Sequence, residues 1–255
     1  MKQLILILLL TLFTSTLFAE TYEAPLSIYK DNYILAGDKT DQVKFQLSLK
    51  YNLLWPFNSG IYLGYTQLTH WWVYRERDTM NTMYQPEVMY RFASGNNMFN
   101  NYIIPYVDYM QVSPFSHCST GVEGLDHRSI NMFYGQIQVS AGEIYNFGTN
   151  LKVFGYYAKD PENKDINDYK KNYTADFFFK IRSKEVTYLD KEEVHFSCGG
   201  SPVGKGFIQG ELIFRIMTTY VQPRAFIQYY KGYDEFFTTY TQKETCIRAG
   251  LIFLD

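Results

Sequence analysis

Beyond its first twenty residues the chain has no run of about eighteen apolar residues, which excludes a membrane-spanning helix after that point. Charge of either sign is scarce. Asp, Glu, Lys and Arg make up 20% of the chain and nearly cancel, leaving a net charge of −2. Nothing in that balance points to nucleic acid. Histidine is limited to 4 residues and cysteine to 3, and no CxxC or His/Cys cluster suggests zinc. Three cysteines (Cys118, Cys198 and Cys246) leave at least one thiol free in an exported protein. A Cys198–Cys246 bridge is conceivable, but sequence alone does not decide it.

Aromatic residues are abundant instead: 24 Tyr, 20 Phe and 3 Trp. The N-terminus reads as a cleaved secretory signal over residues 1–19. Lys2 supplies positive charge, Leu4 to Phe13 is apolar except for Thr11, and the small residue Ala19 precedes Glu20. The expected mature domain is 20–255. Within it the dominant pattern is period-two alternation. Lys44, Gln46, Ser48, Lys50 and Asn52 fall on one face of an extended segment, and Phe45, Leu47, Leu49 and Tyr51 on the other. Gln209, Glu211 and Arg215 oppose Ile208, Leu212 and Phe214 in the same way.

About a dozen such segments are predicted, near 28–35, 43–54, 61–74, 84–93, 102–112, 128–140, 142–156, 172–182, 185–197, 206–217, 220–231 and 244–254. An even count of strands, each about 9–11 residues or somewhat longer, fits an all-β, twelve-stranded antiparallel transmembrane barrel with aromatic girdles. Short connections alternate with longer polar ones. Short turns belong on the periplasmic side, so the 113–127 stretch is read as an external loop.

That stretch, Ser113-Pro-Phe-Ser-His-Cys-Ser-Thr-Gly121 followed by His127-Arg-Ser-Ile-Asn131, holds the candidate chemistry. His117 and Ser119 are two apart and share a face on an extended chain. Serine needs a neighbouring base to become a nucleophile, and histidine titrates near neutral pH. A third group, which can be a neutral Asn, holds the imidazole. Facing gives the stronger argument. Asn131 shares parity with the apolar Phe133, Ile137 and Val139. Val107 and Tyr109 are read as lipid-facing with Asp108 inward, and continuing that alternation sends His117 and Ser119 outward too. Polar groups on the bilayer side are costly unless they serve a function. Gln67 shares parity with Ile61, Leu63, Tyr65 and Trp71, so it also faces lipid, where a two-fold contact would give its amide a partner.

Several segments in order resemble outer membrane phospholipase A. They are Tyr29-Lys-Asp-Asn-Tyr33, Val43-Lys-Phe-Gln-Leu-Ser-Leu-Lys-Tyr51, Tyr65-Thr-Gln-Leu-Thr-His-Trp-Trp72, Tyr84-Gln-Pro-Glu87, the His117 stretch and Tyr230-Lys-Gly-Tyr-Asp-Glu235. The resemblance covers nearly all of 20–255. It implies a calcium-dependent enzyme of the outer membrane of a Gram-negative bacterium, active as a homodimer, which hydrolyses phospholipid acyl esters with His117, Ser119 and Asn131. The same resemblance assigns the oxyanion donor to the Gly121 amide and one calcium ligand to the Val122 carbonyl. It puts His127 where the family has a serine ligand. Imidazole is a poor substitute for oxygen on Ca²⁺, and the adjacent Asp126 can supply the oxygen. The ligand from the partner subunit corresponds to Glu76, with Asp78 as the other choice, and Gln67 matches an interface glutamine. Ile130 stands where the family has tryptophan, and the chain ends Phe253-Leu-Asp255 rather than on an aromatic. The competing reading is a non-catalytic barrel, a pore or an adhesin.

Overall fold

The computed structural model describes residues 24–37, 42–55, 60–72, 79–92, 106–122, 127–142, 145–159, 168, 172–181, 192–200, 204–215, 223–233, 235 and 241–253. The expected signal segment lies outside them. Thirteen strands run β1 Leu26–Ile28, β2 Asn32–Gly37, β3 Gln42–Asn52, β4 Ile61–Trp72, β5 Thr79–Phe92, β6 Tyr106–Val122, β7 His127–Ala141, β8 Tyr145–Lys159, β9 Tyr173–Ile181, β10 Glu193–Gly200, β11 Gly206–Arg215, β12 Pro223–Gly232 and β13 Glu244–Phe253. Each is antiparallel to its neighbours, β2 bridges β13 and β3, and β3 also pairs with β4, so the sheet closes. Closure removes every sheet edge and so satisfies the backbone without water.

β1 and β2 together form the first wall strand, because both pair with β3: Ile28 lies opposite Leu49, and Tyr33 opposite Gln46. The barrel is therefore twelve-stranded, with its first strand interrupted at Tyr29-Lys30-Asp31. The break is held from inside. Tyr29 Oη lies 2.8 Å from Tyr134 Oη, and Lys30 Nζ donates to Glu87 at 3.1 Å. Tyr134 also donates to Glu87, and Gln111 donates to both tyrosines.

The alternation resolves as expected. Lys44, Ser48, Lys50 and Asn52 are buried in the lumen, while Leu47, Tyr51, Leu63, Leu212 and Phe214 are exposed on the outer wall. An apolar exterior and a polar interior invert the soluble arrangement and suit a barrel in lipid. Apolar clusters also fill the lumen, notably Leu35, Ile213, Phe226 and Ile252 between β2, β13, β12 and β11. A polar cavity of about 390 Å³ remains, with Arg91, Tyr109, Asp176, His195 and Arg224 in its lining. Cys118, Cys198 and Cys246 are all free thiols.

Two expectations change. The 113–127 stretch is mostly strand, because β6 continues to Val122 and β7 begins at His127. Likewise β5 starts at Thr79, inside the segment read as a 75–83 loop.

Candidate active site

β6 and β7 position the candidate side chains. Their register pairs His117 with Asn131, Ser119 with Ser129 and Gly121 with His127. His117 Nδ1 lies 2.7 Å from Asn131 Oδ1. An amide oxygen only accepts, so Nδ1 carries the proton in this pair and Nε2 is left with a free lone pair. Ser119 is two residues beyond His117 on the same face, and Tyr84 of β5 lies opposite it. The structure thus brings His117 and Asn131 into contact and puts Ser119 beside them.

All three face outward. The residues that alternate with them are buried: Ser116 at 0% exposure, Cys118 at 2%, Ile130 at 1% and Met132 at 6%. Phe115, Phe133 and Tyr84, on the site's own side, are exposed. Behind the wall Cys118, Ile130 and Met132 pack with Met83, Phe154 and Tyr156, an apolar backing that fixes both strands.

Tyr109 does not face lipid. Its hydroxyl accepts from Gln136 Nε2 at 2.6 Å, and the Arg91 guanidinium lies 4.5 Å from its ring centre. The cause is a pair of β-bulges. Between Val107 and Tyr109, β6 advances two residues while β7 advances one, so Asp108 and Tyr109 both turn inward. Between Ser113 and Ser116 it gains another residue, so Pro114 and Phe115 both turn outward. Each bulge reverses the alternation. Together they cancel, and His117 and Ser119 regain the outward parity.

His117 and Ser119 lie in the last third of β6, eleven and thirteen residues beyond Tyr106, toward the end at which Val122 closes the strand.

Gly121 and Val122 end β6, and Thr82 lies opposite Gly121 on β5. At 121, 122 and 127 the backbone alone is described, whereas Asp126, Glu76 and Asp78 lie outside the described residues. Val122, whose carbonyl is a hard oxygen donor that suits Ca²⁺, closes β6 three residues beyond Ser119. A separate group, Glu235, Glu244 and Cys246, lies near β13, but its Glu235 is already engaged by Lys44 and Arg248.

Gln67 faces outward as expected, and it is not isolated. Tyr65 Oη donates to its Oε1 and its Nε2 donates to Thr69 Oγ1, both at 3.3 Å, and Thr69 meets Thr82 across to β5 at 3.2 Å. These bonds are long and leave the amide one N–H and one lone pair to spare. The sequence reading missed the two threonines. Thr69 shares the parity of Gln67 and could have been found by it, whereas Thr82 fell in the segment read as loop.

Comparison with known proteins agrees with this architecture. The model of a family described as phospholipase A1 matches residues 8–253. The phospholipase A1 of Klebsiella pneumoniae is 24% identical over 223 residues, spanning 85% of this chain and 72% of that protein. Among solved structures, outer membrane phospholipase A from Escherichia coli superposes with a TM-score of 0.73 at 21% identity, covering 91% of this chain and 99% of that one. A calcium-bound dimer of the Salmonella typhi outer membrane phospholipase gives 0.72 at 20% identity, covering 96% and 97%. With nearly its whole length matched by the family model, the chain belongs to the phospholipase A1 family.

Proposed function

We propose that this protein hydrolyses the acyl esters of phospholipids in the outer membrane of a Gram-negative bacterium, using Ser119, His117 and Asn131, and that it acts as a calcium-dependent homodimer. The observation that carries this reading is the outward His117–Asn131 pair beside Ser119, toward the Val122 end of β6. A hydrolytic site aimed into the lumen would never meet a lipid, whereas this one faces outward.

Ser119 attacks the ester carbonyl while His117 Nε2 takes its proton, then returns it to the departing glycerol oxygen. Water repeats the sequence in reverse to release the fatty acid. Asn131 accepts from Nδ1–H throughout, which holds the ring in the productive tautomer. The Gly121 amide donates to the oxyanion, an interaction typically worth about 2.7–4 kcal/mol of barrier lowering. Bound calcium would add fixed positive charge beside that oxyanion. Val122 through its carbonyl, Asp126 in place of His127, and Glu76 of the partner subunit would hold it. Gln67 supports dimerisation across β4 and β5, since its spare N–H and lone pair lie on the outward face while Thr69 and Thr82 are buried behind it. The site then lies on the external rim, and residues 1–19 are removed on export. The apolar packing of Leu35, Ile213, Phe226 and Ile252 inside the barrel supports this reading over a pore.

The test is hydrolysis of phosphatidylcholine in mixed micelles by refolded protein. Activity that requires calcium, disappears with chelator and is lost in Ser119→Ala is expected. Undiminished turnover in Ser119→Ala would remove the serine mechanism.

A further inference from the structure

Below Asn131 the outer wall carries a bare strip. Gly135 sits four residues down β7, roughly 13 Å from Asn131, and lies between Val112 of β6 and Val153 of β8. A Cβ built on Gly135 meets nothing within 4 Å. The side chain that could lean over this strip, Phe133, is turned the other way. Its ring covers Gly155 of β8, where a Cβ would run into it, and it stacks on Tyr157 with ring centres 6.5 Å apart. Val112 and Val153 are both exposed and stand as two low walls. The next row, Met110, Ile137 and Leu151, closes the lower end. The result is a shallow apolar trough on the same face and strand as Asn131.

We propose that this trough seats the acyl chain that is not being cleaved, with Gly135 as the residue that sets the preference for two-chain over one-chain lipids. The inference rests on the phospholipase reading. A phospholipid carries its chains on one glycerol unit, so when one ester lies at Ser119 the other chain descends the wall nearby. On the β4–β5 side of Ser119 stand Tyr84 and the Gln67–Thr69–Thr82 row, the face that the proposed dimer would cover. The β7–β8 side stays open to lipid, and the trough is the recess there. Glycine costs conformational entropy in a strand interior and often marks close approach of a ligand or backbone. An acyl chain against the bare backbone is such an approach.

The experiment compares Gly135→Ala and Gly135→Leu with the wild type on dipalmitoyl phosphatidylcholine and on palmitoyl lysophosphatidylcholine, in detergent with calcium. Both variants place apolar atoms in lipid and keep the fold, checked by heat-modifiable migration. The ratio of two-chain to one-chain kcat/KM falls about tenfold for Leu, mainly through KM, and less for Ala; a misplacement of about 1 Å can cost up to a hundredfold. An unchanged ratio, or an equal loss on both lipids, overturns the trough while leaving the lipase reading intact. A wild type that hydrolyses neither lipid defeats the lipase reading, and this inference with it.

Discussion

Replacing Asn131 with alanine isolates the contact on which the site geometry depends. The pair it removes is a neutral hydrogen bond of 2.7 Å between His117 Nδ1 and Asn131 Oδ1. Such bonds are worth about 0.5–1.5 kcal/mol net, and roughly 1.4 kcal/mol corresponds to tenfold in rate. The loss falls on kcat, because the bond orients the base and makes no contact with lipid. Asn131→Ala should therefore lower kcat about tenfold with little change in KM, in a micellar assay at saturating calcium. Asn131→Asp, whose carboxylate oxygen can accept the same Nδ1–H, should recover most of that loss, whereas Asn131→Leu should not. The backing of Cys118, Ile130 and Met132 is untouched, so no variant should lose more thermal stability than the roughly 0.5–1.5 kcal/mol that the bond itself contributes. If Asn131→Ala works at the wild-type rate, or if Asp is as impaired as Leu, the orienting role is wrong.

Two further outcomes follow from other parts of the barrel. Glu235, between β12 and β13 in sequence, is buried between Lys44 at 2.9 Å and Arg248 at 2.8 Å. Burial alone would raise its carboxyl, but the two cations hold it well below its ordinary 4.5. A lowered folded-state value means its stabilisation is complete above that range and is lost as pH falls through it. Thermal unfolding should thus ease below about pH 4.5, and Glu235→Gln should cost about 3–5 kcal/mol near neutrality, because it leaves the cations underpaired. Gln67→Leu should weaken dimerisation in detergent by about 0.6–2 kcal/mol, roughly three- to thirtyfold by sedimentation equilibrium; an unchanged dimer constant would move the interface elsewhere.

Much of the fold is legible in the sequence because lipid on one side and a polar lumen on the other impose a period of two. Lys44 to Asn52 is the clearest case, and its even-numbered side chains turn inward as read. What cannot be read is anything set by a distant partner. The break at Tyr29-Lys30-Asp31 exists because Tyr134 and Glu87 receive the Tyr29 and Lys30 side chains inside the barrel. The serines around 113–120 have the composition of a loop, yet the single Ser113 O–H lies within reach of both the Val88 and Phe115 carbonyls, at 2.9 and 3.0 Å, and ties the bulge to β5. The outward facing of His117 was anticipated, but only because two bulges cancel. A single extra residue reverses the facing of everything after it, and the cross-strand pairing is what locates it.

The most direct measurement is reaction of the refolded barrel with a long-chain sulfonyl fluoride, followed by peptide mass spectrometry. One covalent adduct on Ser119, which forms far more slowly in His117→Ala, is the result the lipid-facing site predicts. Labelling of another serine, or a rate that is indifferent to His117, would contradict it.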